Sequence, residues 1–109
     1  MSSASRSTAL DASTIAATIA ARRAEILSLG VRTLRLFGSV SRGESSESSD
    51  IDVLVEFEPG AKSYRRFLDL SELLEAALGR RVDVVTMESL SPHVGPHILA
   101  EARDVLRVA

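Results

Sequence analysis

Hydrophobic positions along the chain recur in two rhythms, one helical and one alternating, and the switches between them lay out the elements. Ile15, Ile19, Arg22, Ile26 and Leu29 return at three- and four-residue steps, predicting an amphipathic helix from about Ser13 to Ser28. Asp11 or Ser13 can cap its start, and Gly30 stands where a C-terminal glycine belongs. Val31 to Phe37 then alternates, with Val31, Thr33, Arg35 and Phe37 against Arg32, Leu34 and Leu36, which predicts a first strand ending at Gly38. Ser39 to Gly43 reads as a tight turn leading into a short helical segment, followed by a polar loop from Glu44 to Ser49.

The clearest strand signal is Asp50 to Phe57. Ile51, Val53, Val55 and Phe57 fall on one face, and Asp50, Asp52, Leu54 and Glu56 on the other. Pro59-Gly60 closes it as a turn. A second helix is predicted from Ser63 to Leu78, burying Phe67, Leu70, Leu74, Ala77 and Leu78 and stopped by Gly79. Arg81 to Thr86 predicts a third strand. A broken segment after Ser91-Pro92 leads to a short helix near Ile98 to Ala102 and a final strand at Val105 to Val108. Met1 to Leu10, rich in Ser and Ala without an apolar period, reads as a disordered tail, leaving one domain over 11–109. The order implies a two-layer α+β (α/β) domain.

Composition narrows the function classes. A chain of 109 residues makes one domain with a real core. Thirteen Lys+Arg against fifteen Asp+Glu give a net charge of −2, the opposite of what binding nucleic acid through its phosphates requires. Lys62 is the only lysine. The absence of cysteine excludes disulfides, thiolate metal sites and a cysteine nucleophile. Apolar runs are too short for a membrane helix and no leader pattern opens the chain, so the expectation is a cytoplasmic protein with no membrane association.

The candidate chemistry lies in three places. Gly38-Ser39 follows a strand, where a missing Cβ lets a backbone approach a ligand and the N–H and hydroxyl at the start of a helical turn suit an anion such as phosphate; its plain alternative is an ordinary strand-to-helix turn. Arg42, one turn on, can reach the same anion. Asp50 and Asp52 share one strand face with Cα atoms roughly 6.5–7 Å apart, suited to hard divalent cations; their plain alternative is a solvated strand entry beside a Ser-rich loop. Asp83 is a third acid in mid-strand, where aspartate is a poor strand former; its plain alternative is an edge charge or a partner for Arg80 or Arg81.

Gly38-Ser39-x-x-Arg42-Gly43, then Ser49-Asp50-Ile51-Asp52-Val53-Leu54-Val55, then Asp83 resembles the nucleotidyltransferase superfamily of the DNA polymerase β type. Within it the match is to the minimal nucleotidyltransferases, the MntA-like antitoxins paired with HEPN proteins, over roughly residues 13 to 108. The resemblance implies a small mixed sheet with helices packed on it. It implies that Asp50 and Asp52 bind two Mg²⁺, with Asp83 as third carboxylate helping to activate the acceptor hydroxyl. Ser39 would hold a nucleoside triphosphate, Gly38 would allow its approach, and Arg42 and Gly43 would support the loop. The reaction so implied is transfer of AMP from ATP to a tyrosine hydroxyl of a partner HEPN toxin. The alternatives are an antitoxin acting by binding alone and a nucleotidyltransferase of small molecules. The latter usually carries an additional helical domain, so the acceptor here is expected on another chain or subunit, in an oligomer with the partner.

Other residues carry less. His93 and His97 have the spacing of a helical zinc pair, but Gly95 and Pro96 interrupt the helix that would align them. Arg22-Arg23, Arg65-Arg66 and Arg80-Arg81 have acids nearby and read as solvated faces, and Tyr64 as the edge of an apolar stripe.

Overall fold

The computed structural model describes residues 11–43 and 50–108. The tail expected at Met1–Leu10 and the polar loop expected at Glu44–Ser49 lie outside them. The described elements are α1 (Ala12–Ala21), α2 (Arg23–Ser28), β1 (Val31–Phe37), α3 (Gly38–Ser41), β2 (Ile51–Phe57), α4 (Tyr64–Leu78), β3 (Val82–Thr86), a 3-10 turn (Met87–Ser89), α5 (Gly95–Glu101) and β4 (Arg103–Arg107).

The strands form one mixed sheet in the order β3-β2-β1-β4. β1 is antiparallel to both β2 and β4, while β2 and β3 run parallel. Register puts Leu34 opposite Val55 and Leu106, Leu36 opposite Val53, Ile51 beside Val82 and Val53 beside Val84. These side chains share one face and form the core with Ile15, Ile19 and Ile26 and with Leu70, Leu74 and Leu78 of α4. The opposite face is mostly polar. Thr33 donates to Glu56 Oε1 at 3.3 Å, Arg35 Nε meets Asp104 Oδ1 at 2.8 Å, and Asp52 lies beside Asp83 in register. Leu54 and Phe37, both buried, and Val85, in register with Leu54, are the apolar residues of this same face. α3 and α5 pack against β1, and the 3-10 turn against β2.

Capping explains the helix limits. The Asp11 carboxylate accepts from the Thr14 N–H at 2.8 Å, which holds the Asp11 pKa below the ordinary value. Ser63 caps α4 through Arg66 N–H at 3.1 Å, and Gly79, at φ +66°, ends it with its N–H on the Glu75 carbonyl. The single helix expected over Ser13–Ser28 is two segments broken at Arg22, whose φ of −108° and ψ of 17° leave the helical region. Ile15, Ile19 and Ile26 are all fully buried across the break. The interruption therefore keeps the apolar phase, and periodicity cannot reveal it. The last helix begins earlier than expected, at Gly95, because Pro96 fits the first turn rather than interrupting it. β4 likewise starts at Arg103 rather than Val105, pairing with Leu36 and Arg35 of β1. No helix among the described residues is long and apolar enough to cross a membrane.

Leu74 is fully buried at the centre of the α4 stripe. Urea unfolding of Leu74→Ala is expected to show a loss of about 2–5 kcal/mol. Tyr64→Ala, at a side chain 77% exposed, is expected to stay within about 0.5 kcal/mol of the parent.

Candidate active site

The turn after β1 is a short helix whose geometry is set at its first residue. Phe37 is still extended, and Gly38 turns the chain at φ +75°, a conformation that L side chains rarely adopt. A Cβ at Gly38 would overlap Asp52 Oδ2 and lie 3.1 Å from Asp52 Cγ. The close approach that the missing Cβ permits is thus first of all that of the chain's own carboxylate. Phe37 and Asp52 are register partners across β1 and β2, so the strand pairing delivers Asp52 to the start of the turn. Val40 plugs the turn into the core, and half-buried Ser39 lies between Gly38 and Val40. Arg42 N–H closes on the Gly38 carbonyl at 3.1 Å, and Gly43, at φ +75°, lets the chain leave.

Asp52 and Asp83 are register partners on parallel strands about 4.8 Å apart, so their side chains leave the sheet on the same face. Asp50, exposed, precedes β2, where the Ile51 N–H bonds to the Arg81 carbonyl at 2.9 Å. Burial pushes the Asp52 pKa up, and the negative charges of Asp83 and Asp50 push it further, with Arg42 opposing. Asp50, Asp83, Glu75, Arg81 and Val82 line a cleft of about 260 Å³. A larger cleft of about 750 Å³ opens beyond Arg42 and Gly43, toward α1 and β4, but reaches none of the three acids. Of the three acids only Asp50 and Asp83 line the smaller cleft, and Asp52 stands between that cleft and the Gly38 turn.

This donor set fits hard divalent cations: it is all carboxylate oxygen, and repulsion on Asp52 marks an electrostatic deficit that a cation relieves. Among the described residues no three acidic or histidine side chains already close on one point, so the acids line two strands rather than form a ready cage. His93 lies in the turn before α5 and His97 in its first turn, and both are exposed.

Two participants escape a reading of sequence. Glu101, at the end of α5, accepts the Gly38 N–H at 3.1 Å and pairs with Arg42 at 3.1 Å, and its carbonyl accepts from Ser41 Oγ at 2.7 Å. The Gly38 N–H and the Arg42 guanidinium hold its carboxyl pKa below the ordinary value. Arg42, expected to reach toward an anion, therefore engages an internal one. Glu75, on α4, accepts the Val82 N–H at 3.0 Å and holds the start of the strand that carries Asp83. Neither residue belongs to a local motif. The only sequence signal for Glu101 is an acid at the end of a short helix.

A mixed sheet that brings a Gly-Ser turn against paired strand carboxylates is the arrangement of a nucleotidyltransferase. Residues 18–105 match the family described as nucleotidyltransferase domain, and the chain belongs to that family, in its minimal form. It is 47% identical over 72 residues, 66% of this chain and 72% of the relative, to the protein adenylyltransferase MntA of Thermococcus cleftensis. It is similar to a solved structure described as that of a minimal nucleotidyltransferase, at 40% identity and a TM-score of 0.68, covering 86% of this chain and 95% of that one. The fold is also that of a structure of a tri-AMPylated Shewanella oneidensis HEPN toxin in complex with an MNT antitoxin, at 21% identity and a TM-score of 0.54, covering 82% and 72%.

Two outcomes follow for the turn and its carboxylate. Gly38→Ala is expected to lose at least about 1 kcal/mol of stability from the positive φ alone, with the collision against Asp52 adding to it; thermal unfolding measures the sum. Because the Asp52 pKa is raised above 3.8, its favourable linkage is complete below that pH and is lost as pH rises through the native value. Asp52→Asn is therefore expected to be more stable than the parent at neutral pH. Denaturation across pH should show that advantage shrinking toward pH 3.8.

Proposed function

We propose that this protein transfers AMP from ATP to a tyrosine hydroxyl of a partner HEPN toxin, and so acts as the antitoxin of the pair. The observation that carries this reading is the contact of Gly38 with Asp52, which sets a phosphate-suited turn directly beside the in-register carboxylates Asp52 and Asp83. Membership of the nucleotidyltransferase family supports the reaction class. The adenylyltransferase name of the Thermococcus relative supports the nucleotide and the protein acceptor, and the AMPylated toxin in the Shewanella complex supports the partner.

In this reading Ser39 receives the triphosphate through its N–H and hydroxyl, Gly38 leaves room for the Asp52 carboxylate beside that turn, and Arg42 and Gly43 hold the turn in shape. Asp50, Asp52 and Asp83 would hold two Mg²⁺, which supply charge neutralisation for the leaving pyrophosphate and a lowered pKa for the acceptor hydroxyl. The acceptor oxygen bonds to the α-phosphorus as the bond from that phosphorus to the bridging oxygen breaks, and pyrophosphate departs. Asp83 helps to draw off the hydroxyl proton. No covalent link to the protein forms, in keeping with a chain that has no cysteine.

The test is mass spectrometry of the HEPN partner after incubation with ATP and Mg²⁺. The expected result is a gain in steps of one AMP, reduced at least about a hundredfold by the double variant Asp50→Asn/Asp52→Asn. A stable complex whose partner keeps its original mass would instead identify an antitoxin that acts by binding alone.

A further inference from the structure

Sequence motifs place only the Gly38–Gly43 turn and the three acids at this site, yet a residue about sixty positions away touches the turn at three points. We propose that Glu101 is a positioning residue of the nucleotide site, acting through Gly38, Ser41 and Arg42 to set the pose of Ser39. The inference rests on the reading of the turn as the triphosphate site.

A four-residue helix cannot hold itself, because forming a first turn fixes several dihedral angles for a single bond. In α3 that bond is Arg42 N–H to the Gly38 carbonyl. The residue before the turn, Phe37, offers no side-chain cap. Glu101 replaces the missing cap from outside: its Oε2 accepts the Gly38 N–H, and so orients the peptide that enters the positive-φ glycine. The same carboxylate receives Arg42 through both oxygens, at 3.1 and 3.3 Å. Its main-chain carbonyl receives Ser41 Oγ at 2.7 Å. Residues on both sides of Ser39 are thereby tied to one residue, and the Arg42 guanidinium that it holds also acts on Asp52.

The exposure of the pair argues that the contact serves geometry more than global stability. The Arg42 and Glu101 side chains are 47% and 30% exposed, and ion pairs of that kind add little to folding. A clamp that contributes little to folding but fixes the N–H and hydroxyl of a ligand-binding turn should show itself in nucleotide affinity rather than in unfolding.

The experiment compares the full chain with Glu101→Ala and Glu101→Gln. In Glu101→Ala, Gly38 amide exchange read by NMR is expected to accelerate at least about tenfold, with the urea midpoint little changed. The KM for ATP in the presence of Mg²⁺ is expected to rise about tenfold while kcat falls less than about threefold. Glu101→Gln, whose amide oxygen can still accept the Gly38 N–H, is expected to recover most of the protection and affinity. Unchanged exchange at Gly38 in Glu101→Ala overturns the clamp. An unchanged KM overturns its role in positioning, and a lowered KM would show instead that the carboxylate competes with the phosphates. A parent chain that takes up no nucleotide would remove the functional reading together with the positioning role, whereas the exchange measurement decides the clamp without any nucleotide.

Discussion

Where β1 ends, the Asp52 carboxylate occupies the space that a side chain on residue 38 would fill, and the rest of the site is arranged around that approach. It demands glycine at position 38 twice over, once for space and once for φ. It also brings a negative charge close to backbone that turns at once into a helix, where positive amide dipoles lie. The antiparallel pairing of β1 with β2 determines where Asp52 arrives, and the parallel pairing of β2 with β3 determines where Asp83 stands.

The fold can hold such a concentration of acids because its two sheet faces do different work. One face is an aliphatic layer against α1, α2 and α4, which carries the folding free energy. The other bears charges, so Asp52, partly buried and repelled by Asp83 and Asp50, is tolerated rather than favoured. A stabilising layer on one side thus supports an unfavourable one on the other, the usual compromise at sites that bind charged ligands.

The tertiary clamp at Glu101 and the strand anchor at Glu75 extend the same logic. Each accepts a backbone N–H at the start of an element that carries site residues, Gly38 for α3 and Val82 for β3. Both bonds come from a helix whose end or face happens to pass nearby. The turn and the acids are thus held by helices α5 and α4 as much as by their own strands.

Much of this was legible in the residues themselves. Alternation over Val31–Phe37 and Ile51–Phe57 marks the two central strands to the residue or nearly so, because a period of two with one buried face leaves little freedom of register. The capping residues Ser63 and Gly79 mark the limits of α4 in the same local way. The turn at Gly38 and the strand placement of Asp52 and Asp83 were equally visible, since a local turn and a strand's alternation define them, whereas Asp50, expected in the strand, stands just before β2. What a linear pattern could not decide was the break at Arg22, which preserves the apolar phase, and the early start of β4, which its pairing with β1 sets. Nor could it say that Arg42 meets Glu101, or that the space beside Gly38 belongs to Asp52. Those depend on which strands and helices become neighbours. Sequence specifies short-range periodicity and conformational demand, but a contact across about sixty residues exists only once the sheet order has been chosen.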